Sequence, residues 1–322
     1  MEKAKPWQEI SKQSMSEMVA EAYAHAAKMT DGKNAEYIPY LADVPSNLFG
    51  ITLCLTDGTL LSIGDTTHEF GIESVSKIPT TILVLMQHGP DALLQKIGAD
   101  ATGLPFNSIM ALLLENSLPS TPLVNAGAIS ACSMIEPKGN KEQKWQAIVK
   151  LIEELCNNEV AVIEPLFESE MATNWHNQAM TALLKASNRI YDDPQISLEL
   201  YTKQCSLGIT CQDLAIMGAT IANKGLNPVS NKRVFAPELS PKIVSLMASV
   251  GFYEDTGQWI YSAGIPAKSG VGGGIMGVFP GKFGIAAFAP PLDKAGNSVK
   301  AQAAIRYLME KLDLHIFNPE NI

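Results

Sequence analysis

Apolar residues recur with two different periods along this chain, and the switches between them divide it. Over residues 11–28, Met15, Met18, Val19, Ala22 and Tyr23 fall at helical spacing, which predicts an amphipathic helix. A loop with Tyr37, Pro39 and Pro45 follows. Residues 51–56 and 59–63 are β-rich runs joined by Asp57-Gly58, a pair that tolerates the positive φ of a tight hairpin turn. From Ile78 to about Ser249 the pattern is helical, with breaks at Gly89-Pro90, Gly103-Leu-Pro105, Pro119, Pro122, Lys138-Gly-Asn140, Asp193-Pro194 and Gly225-Leu-Asn-Pro228. Leu151, Ile152 and Leu155 form one core-facing stripe there, and Ala179, Leu183 and Leu184 another. Strand-like runs return at 274–279 and 283–288 around Pro280-Gly-Lys282. A last helix is expected over about 298–312, with Ala301, Ile305, Leu308 and Leu312 on one side.

Strands near both ends that enclose a long helical stretch predict an α+β fold. One antiparallel β-sheet would be built from N- and C-terminal strands, flanked by helices, with an all-helical lobe inserted. Residues 1–77 plus 250–322 would form the sheet-containing lobe and 78–249 the helical lobe. A cleft between the two lobes is the expected place for a small-molecule site.

Composition narrows the function. The 322 residues, 46% hydrophobic and 18% charged, suit a globular enzyme of one or two domains, and a formal net charge of −9 argues against a nucleic-acid surface. No apolar run reaches the ~18 residues of a membrane span, and Met1-Glu-Lys-Ala-Lys-Pro-Trp7 has no apolar core of an export signal. A cytoplasmic address without membrane attachment is therefore expected. Five cysteines without Cys-x-x-Cys spacing read as reduced core residues, Cys54 among them alternating into an apolar strand. Five histidines show no paired spacing, so no metal is expected. Gly272-Gly-Gly274-Ile-Met-Gly277 matches a dinucleotide fingerprint in letters only: β-rich sequence, not a helix, follows it, and no cofactor is expected. Those glycines read instead as places where backbone approaches a substrate closely.

The chemistry centres on Gly71-Ile-Glu-Ser-Val-Ser-Lys77. A serine hydroxyl needs a base to become a nucleophile, and a lysine three residues on shares its helix face. A chain of this length shows about one Ser-x-x-Lys by chance. Ser74 to Lys77 is the one match here, it follows a strand-like run, and Lys268-Ser-Gly270 precedes another. A serine hydrolase is the reading. Ser74 would sit in a first helical turn, where free N–H groups stabilise an oxyanion and burial lowers the Lys77 pKa. Asn125 lies in apolar sequence, where its amide needs a partner. Glu170 and Asn177 are spaced close to two helical turns, on one face. The Tyr201 and Tyr253 phenols can donate to a ligand. Taken singly, each of these reads more readily as structural than as functional.

Together, and in this order, the residues resemble the serine-dependent glutaminases, relatives of the β-lactamase and penicillin-binding-protein fold. The similarity runs from Glu36-Tyr-Ile-Pro39 through Ser74-Val-Ser-Lys77, Phe106-Asn-Ser108, Asn125-Ala-Gly-Ala128, Ser169-Glu170, His176-Asn177, Tyr201 with Gln204-Cys-Ser206 and Gly251-Phe-Tyr253 to Pro266-Ala-Lys-Ser-Gly-Val271. The resemblance implies hydrolysis of L-glutamine to L-glutamate and ammonia through a Ser74 acyl-enzyme. Lys77 would be the base and Tyr253 would help to move protons, with the N–H groups of Ser74 and Val271 as the oxyanion hole. Tyr37, Asn125, Glu170, Asn177 and Tyr201 would hold the amino-acid end of the substrate. It also implies a homo-oligomer, commonly a tetramer and otherwise a dimer. Glu73 stands where the family usually has glutamine, His176 where arginine is usual, and Gly272 for a common serine. A penicillin-interacting hydrolase is one alternative, and a weakly active relative serving as an amino-acid-binding or assembly protein is another.

Overall fold

The computed structural model describes residues 7–105, 107–114 and 118–321. The stretch 1–6 and Phe106, to which parts of the sequence reading refer, lie outside them. In chain order, α1 (Lys12–Ala26) and the single turn α2 (Pro39–Ala42) precede the strands β1 (Gly50–Leu55), β2 (Leu60–Gly64) and β3 (Phe70–Gly71). A helical run follows: α3 (Lys77–Lys96), α4 (Ile109–Leu114), α5 (Asn125–Met134), α6 (Lys141–Cys156), α7 (Glu164–Thr173), α8 (Trp175–Ala186) and α9 (Pro194–Cys205). After β4 (Gly208–Ile209) come α10 (Cys211–Ala222), α11 (Ser240–Val250) and α12 (Thr256–Ala263). The strands β5 (Ala267–Ser269), β6 (Gly274–Phe279) and β7 (Phe283–Phe288) and the helix α13 (Val299–Lys311) complete the chain.

The fold is α+β and β-lactamase-like. Its main sheet is antiparallel, in the order β2-β1-β7-β6-β5, so N-terminal β1 pairs with C-terminal β7 from Gly50 opposite Phe288 to Leu55 opposite Phe283. The β6–β7 hairpin and the terminal helix fall where periodicity put them, with Ser298 capping α13 by accepting from the Ala301 N–H. The first hairpin has a longer turn than expected. Cys54 pairs with Leu60, Leu55 donates its N–H to Thr59 O at 2.9 Å, and Gly58 takes φ +86°. The connection is thus a three-residue loop with glycine in the left-handed position, which supplies the twist that a two-residue turn would need at both centres.

β1, β6 and β7 are buried on both faces, so Cys54 does not alternate with solvent-facing neighbours. Successive residues feed two cores instead. Ile51, Leu53, Ile285 and Ala287 pack with α1, α12 and α13, whereas Cys54, Met276, Ala286 and Phe288 pack with α10 and the helical region. A sheet sandwiched between helices buries each strand twice, which turns an alternating pattern into a continuous apolar run. The helix α10, from within the 78–249 segment, lies across β1, β6 and β7. It comes close because Gly284 has no side chain: a Cβ there would stand 2.0 Å from the Ala219 N and 2.3 Å from the Ala215 O.

Two local expectations are corrected. Ala179 is exposed, and α8 buries Met180 and Thr181 beside the expected Leu184. The second correction bears on the site. Glu170 and Asn177 do not share a helix, because the chain breaks between α7 and α8 at Asn174, with ψ +28°. The Asn174 side chain accepts from Gln178 Nε2 at 2.6 Å, which ties the break to the first turns of α8.

Candidate active site

The site begins where β3 ends. Glu73–Ser76 form one 3-10 turn that runs into α3, so Ser74 lies just ahead of the α-helix whose first residue is Lys77. Glu73 takes φ +49°, a left-handed conformation that costs a non-glycine residue about 1 kcal/mol or more. Tyr253 takes φ +56° in another 3-10 turn. These two strained residues flank Ser74.

Lys77 Nζ lies 2.5 Å from Ser74 Oγ, and both residues are buried. Burial lowers the Lys77 pKa, against the raising pull of Cys205, Glu73 and Glu170. A lysine so placed favours the neutral amine, the form that accepts a proton. Nζ also stands 5.4 Å from the centre of the Tyr201 ring. The Tyr253 hydroxyl donates to the Ser269 carbonyl at 3.3 Å and is in hydrogen-bond contact with Ser74; burial raises its pKa well above the phenol's usual value. Lys268, wholly buried, donates to the same carbonyl at 2.6 Å and sits 4.3 Å over the Tyr253 ring. Burial first and then Lys77 push its pKa far down.

β5 brings the Lys268-Ser-Gly segment against the nucleophile turn. A Cβ on Gly270 would meet Ile72 O at 3.0 Å and Ser74 N at 3.3 Å, and one on Gly272 would meet Gly71 O at 2.5 Å. The neighbouring glycines also pack closely on the chain: Gly273 abuts Ala289 O and Gly274 the Phe70 ring. Gly274 to Phe279 form β6, a strand where the dinucleotide fingerprint needs a helix.

A cavity of about 130 Å³ opens over Ser74 and is lined by Tyr37, Asn125, Glu170, Asn177, Tyr201 and Val271, while Tyr253, also a candidate for substrate contact, is outside its lining. Lys77 lies behind Ser74, and Tyr253 borders it through its contact with Ser74. Tyr37 is exposed at the mouth, whereas Asn125 and Tyr201 are buried. Asn125 Nδ2 donates to Asn177 Oδ1 at 3.0 Å, tying α5 to α8. Two buried acceptors, Asn125 Oδ1 and Glu73 Oε1, have no hydrogen-bond partner among the described residues. The sequence reading marked Glu73 only as an odd neighbour of the nucleophile; in the structure it lines the cavity, its carboxyl against that of Glu170. Asn107, from the Phe106-Asn-Ser108 stretch of the resemblance, also lines it, as do Thr173 and Asn174, which carried no signal in the sequence.

A buried Ser–Lys pair opening into a small polar cavity between sheet and helices places this chain among the β-lactamase-like proteins. The family model described as Glutaminase matches residues 32–317. A protein of Parabacteroides distasonis called glutaminase is 61% identical over 306 residues, 95% of each chain. Among solved structures, that of the probable glutaminase ybaS superposes with a TM-score of 0.94 at 42% identity, covering 96% of this chain and all of that one. Mglu in its glutamate form reaches a TM-score of 0.90 at 32% identity, over 94% of this chain and 70% of its own. The chain belongs to the glutaminase family.

Proposed function

We propose that this protein hydrolyses L-glutamine to L-glutamate and ammonia, with Ser74 as nucleophile and Lys77 as its base. The observation that carries this is the 2.5 Å contact between Lys77 Nζ and Ser74 Oγ at the floor of a cavity lined by amino-acid-binding chemistry. The glutaminase relatives and the glutamate form of Mglu support the substrate class.

The neutral amine of Lys77 takes the hydroxyl proton as Ser74 Oγ bonds to the side-chain amide carbon. The backbone N–H groups of Ser74 and Val271 receive the oxyanion, an arrangement consistent with the close packing of Gly270 on Ser74. Collapse breaks the C–N bond, and ammonia leaves with the proton returned from Lys77 directly or through the Tyr253 hydroxyl. Water then gives a proton to Lys77 and attacks the ester, which frees glutamate and restores Ser74. Glu170 pairs with the α-ammonium, while Tyr37, Asn125, Asn177 and Tyr201 hold the rest of the amino-acid end.

Ammonia release from L-glutamine and L-asparagine, measured side by side with the Ser74→Ala variant, tests the assignment. Release from glutamine by the wild type and none from the variant is expected. Equal release from both proteins would remove Ser74 as nucleophile.

A further inference from the structure

Glu73 and Glu170 line one cavity with their carboxyl groups in hydrogen-bond contact, and two buried carboxyls that share a hydrogen bond do not both ionise. Burial raises both pKa values. The charge and hydrogen bond of Glu170 raise that of Glu73 further, so the pair holds one proton, with Glu73 its favoured seat. Glu73 is only 3% exposed, held in its strained backbone by the turn before Ser74. Its Oε1 and the Asn125 Oδ1 are unpaired acceptors on the same cavity as Glu170. Three acceptors on one small cavity match the three N–H donors of a primary ammonium.

We propose that Glu73 and Glu170 act as one proton-sharing carboxyl pair that receives the substrate's α-ammonium, which displaces the shared proton to solvent on binding. Glu73 is thereby a positioning residue: it holds the Glu170 carboxylate when the site is free and becomes a second anionic acceptor when the site is filled. The inference rests on the glutaminase reading for the ligand, though not for the pair itself. The groups facing the pair are Lys77 on α3, Tyr201 and Cys205 on α9, Tyr37 at the mouth, Tyr253 beside Ser74, and His176 on the rim. Among them Lys77 favours ionisation of both carboxyls when it is protonated, whereas the neutral amine that burial favours leaves the pair its proton. A bound ammonium brings a positive charge to the pair itself.

Calorimetric titration of the wild type with L-glutamate at pH 7, in buffers of different ionisation enthalpy, reads the displaced proton. About one proton released per ligand is expected, and close to none from Glu73→Gln, whose amide keeps the shape and has no proton to give up. The same variant should raise the KM for glutamine roughly tenfold while kcat changes less than about threefold, because it removes a charged acceptor of the amino group. Equal proton release from both proteins overturns the proposal, as does an unchanged KM. A ligand-free readout separates this from the substrate assignment. The infrared difference spectrum between wild type and Glu73→Gln at pH 7 should contain a protonated-carboxyl band, and Glu170→Gln provides the same comparison should the first variant misfold. Absence of that band overturns the pair. Absence of glutamate binding and ammonia release, with the band present, overturns the glutamine reading and the ammonium displacement while the shared proton stands.

Discussion

Lys77 Nζ rests 2.5 Å from Ser74 Oγ, and neither residue exposes more than a small fraction of its surface. If the two act as a unit, removing the amine should cost almost as much as removing the hydroxyl. Lys77→Met, which keeps the volume of the buried stem, is expected to lower kcat for glutamine roughly a thousandfold or more while the protein stays folded by circular dichroism. Normal ammonia release from this variant would take the base assignment away.

Burial lowers the Lys77 pKa, and the sign of the pH dependence follows. Below the depressed value the amine is protonated and cannot accept from Ser74; above it the base is available. The rate constant kcat should therefore rise with pH to a plateau reached well below the ordinary lysine pKa of about 10.4. A profile still climbing steeply at that ordinary value would show that burial leaves the amine charged.

Asn125 and Asn177 are joined by a 3.0 Å hydrogen bond between α5 and α8. Each alanine substitution should raise the KM for glutamine, and the double variant should raise it by less than the product of the two. The coupling is expected at about 1 kcal/mol, the size of a neutral hydrogen bond within one site. Strictly independent effects in the double-mutant cycle would place the two amides in separate roles.

Gly284 lets α10 lie on β7. Gly284→Ala would force a Cβ to 2.0 Å from the Ala219 N, a backbone atom that cannot swing aside, and should destabilise the fold by about 3 kcal/mol. Gly257, in α12, has open space around it, so Gly257→Ala should change stability by no more than about 1 kcal/mol, in the stabilising direction. Urea unfolding of the two variants checks the contrast. Equal midpoints would mean that the helix shifts off the strand at little cost.

What the chain determined by itself was whatever depends on neighbours a few positions apart. The β6–β7 hairpin, the capped helix α13 and the reach of Lys77 to Ser74 are set by spacing, because period and turn chemistry act locally. Strands buried on both faces were legible as apolar runs, but whether one or two helical layers covered them was not. The tertiary structure alone decided how separate stretches meet. It put the break at Asn174 between Glu170 and Asn177, laid α10 on the sheet, and set the Glu73 carboxyl against Glu170. Those relations come from packing between segments far apart along the chain, where no period links the partners, and so the proton shared by two acids is a property of the folded cavity.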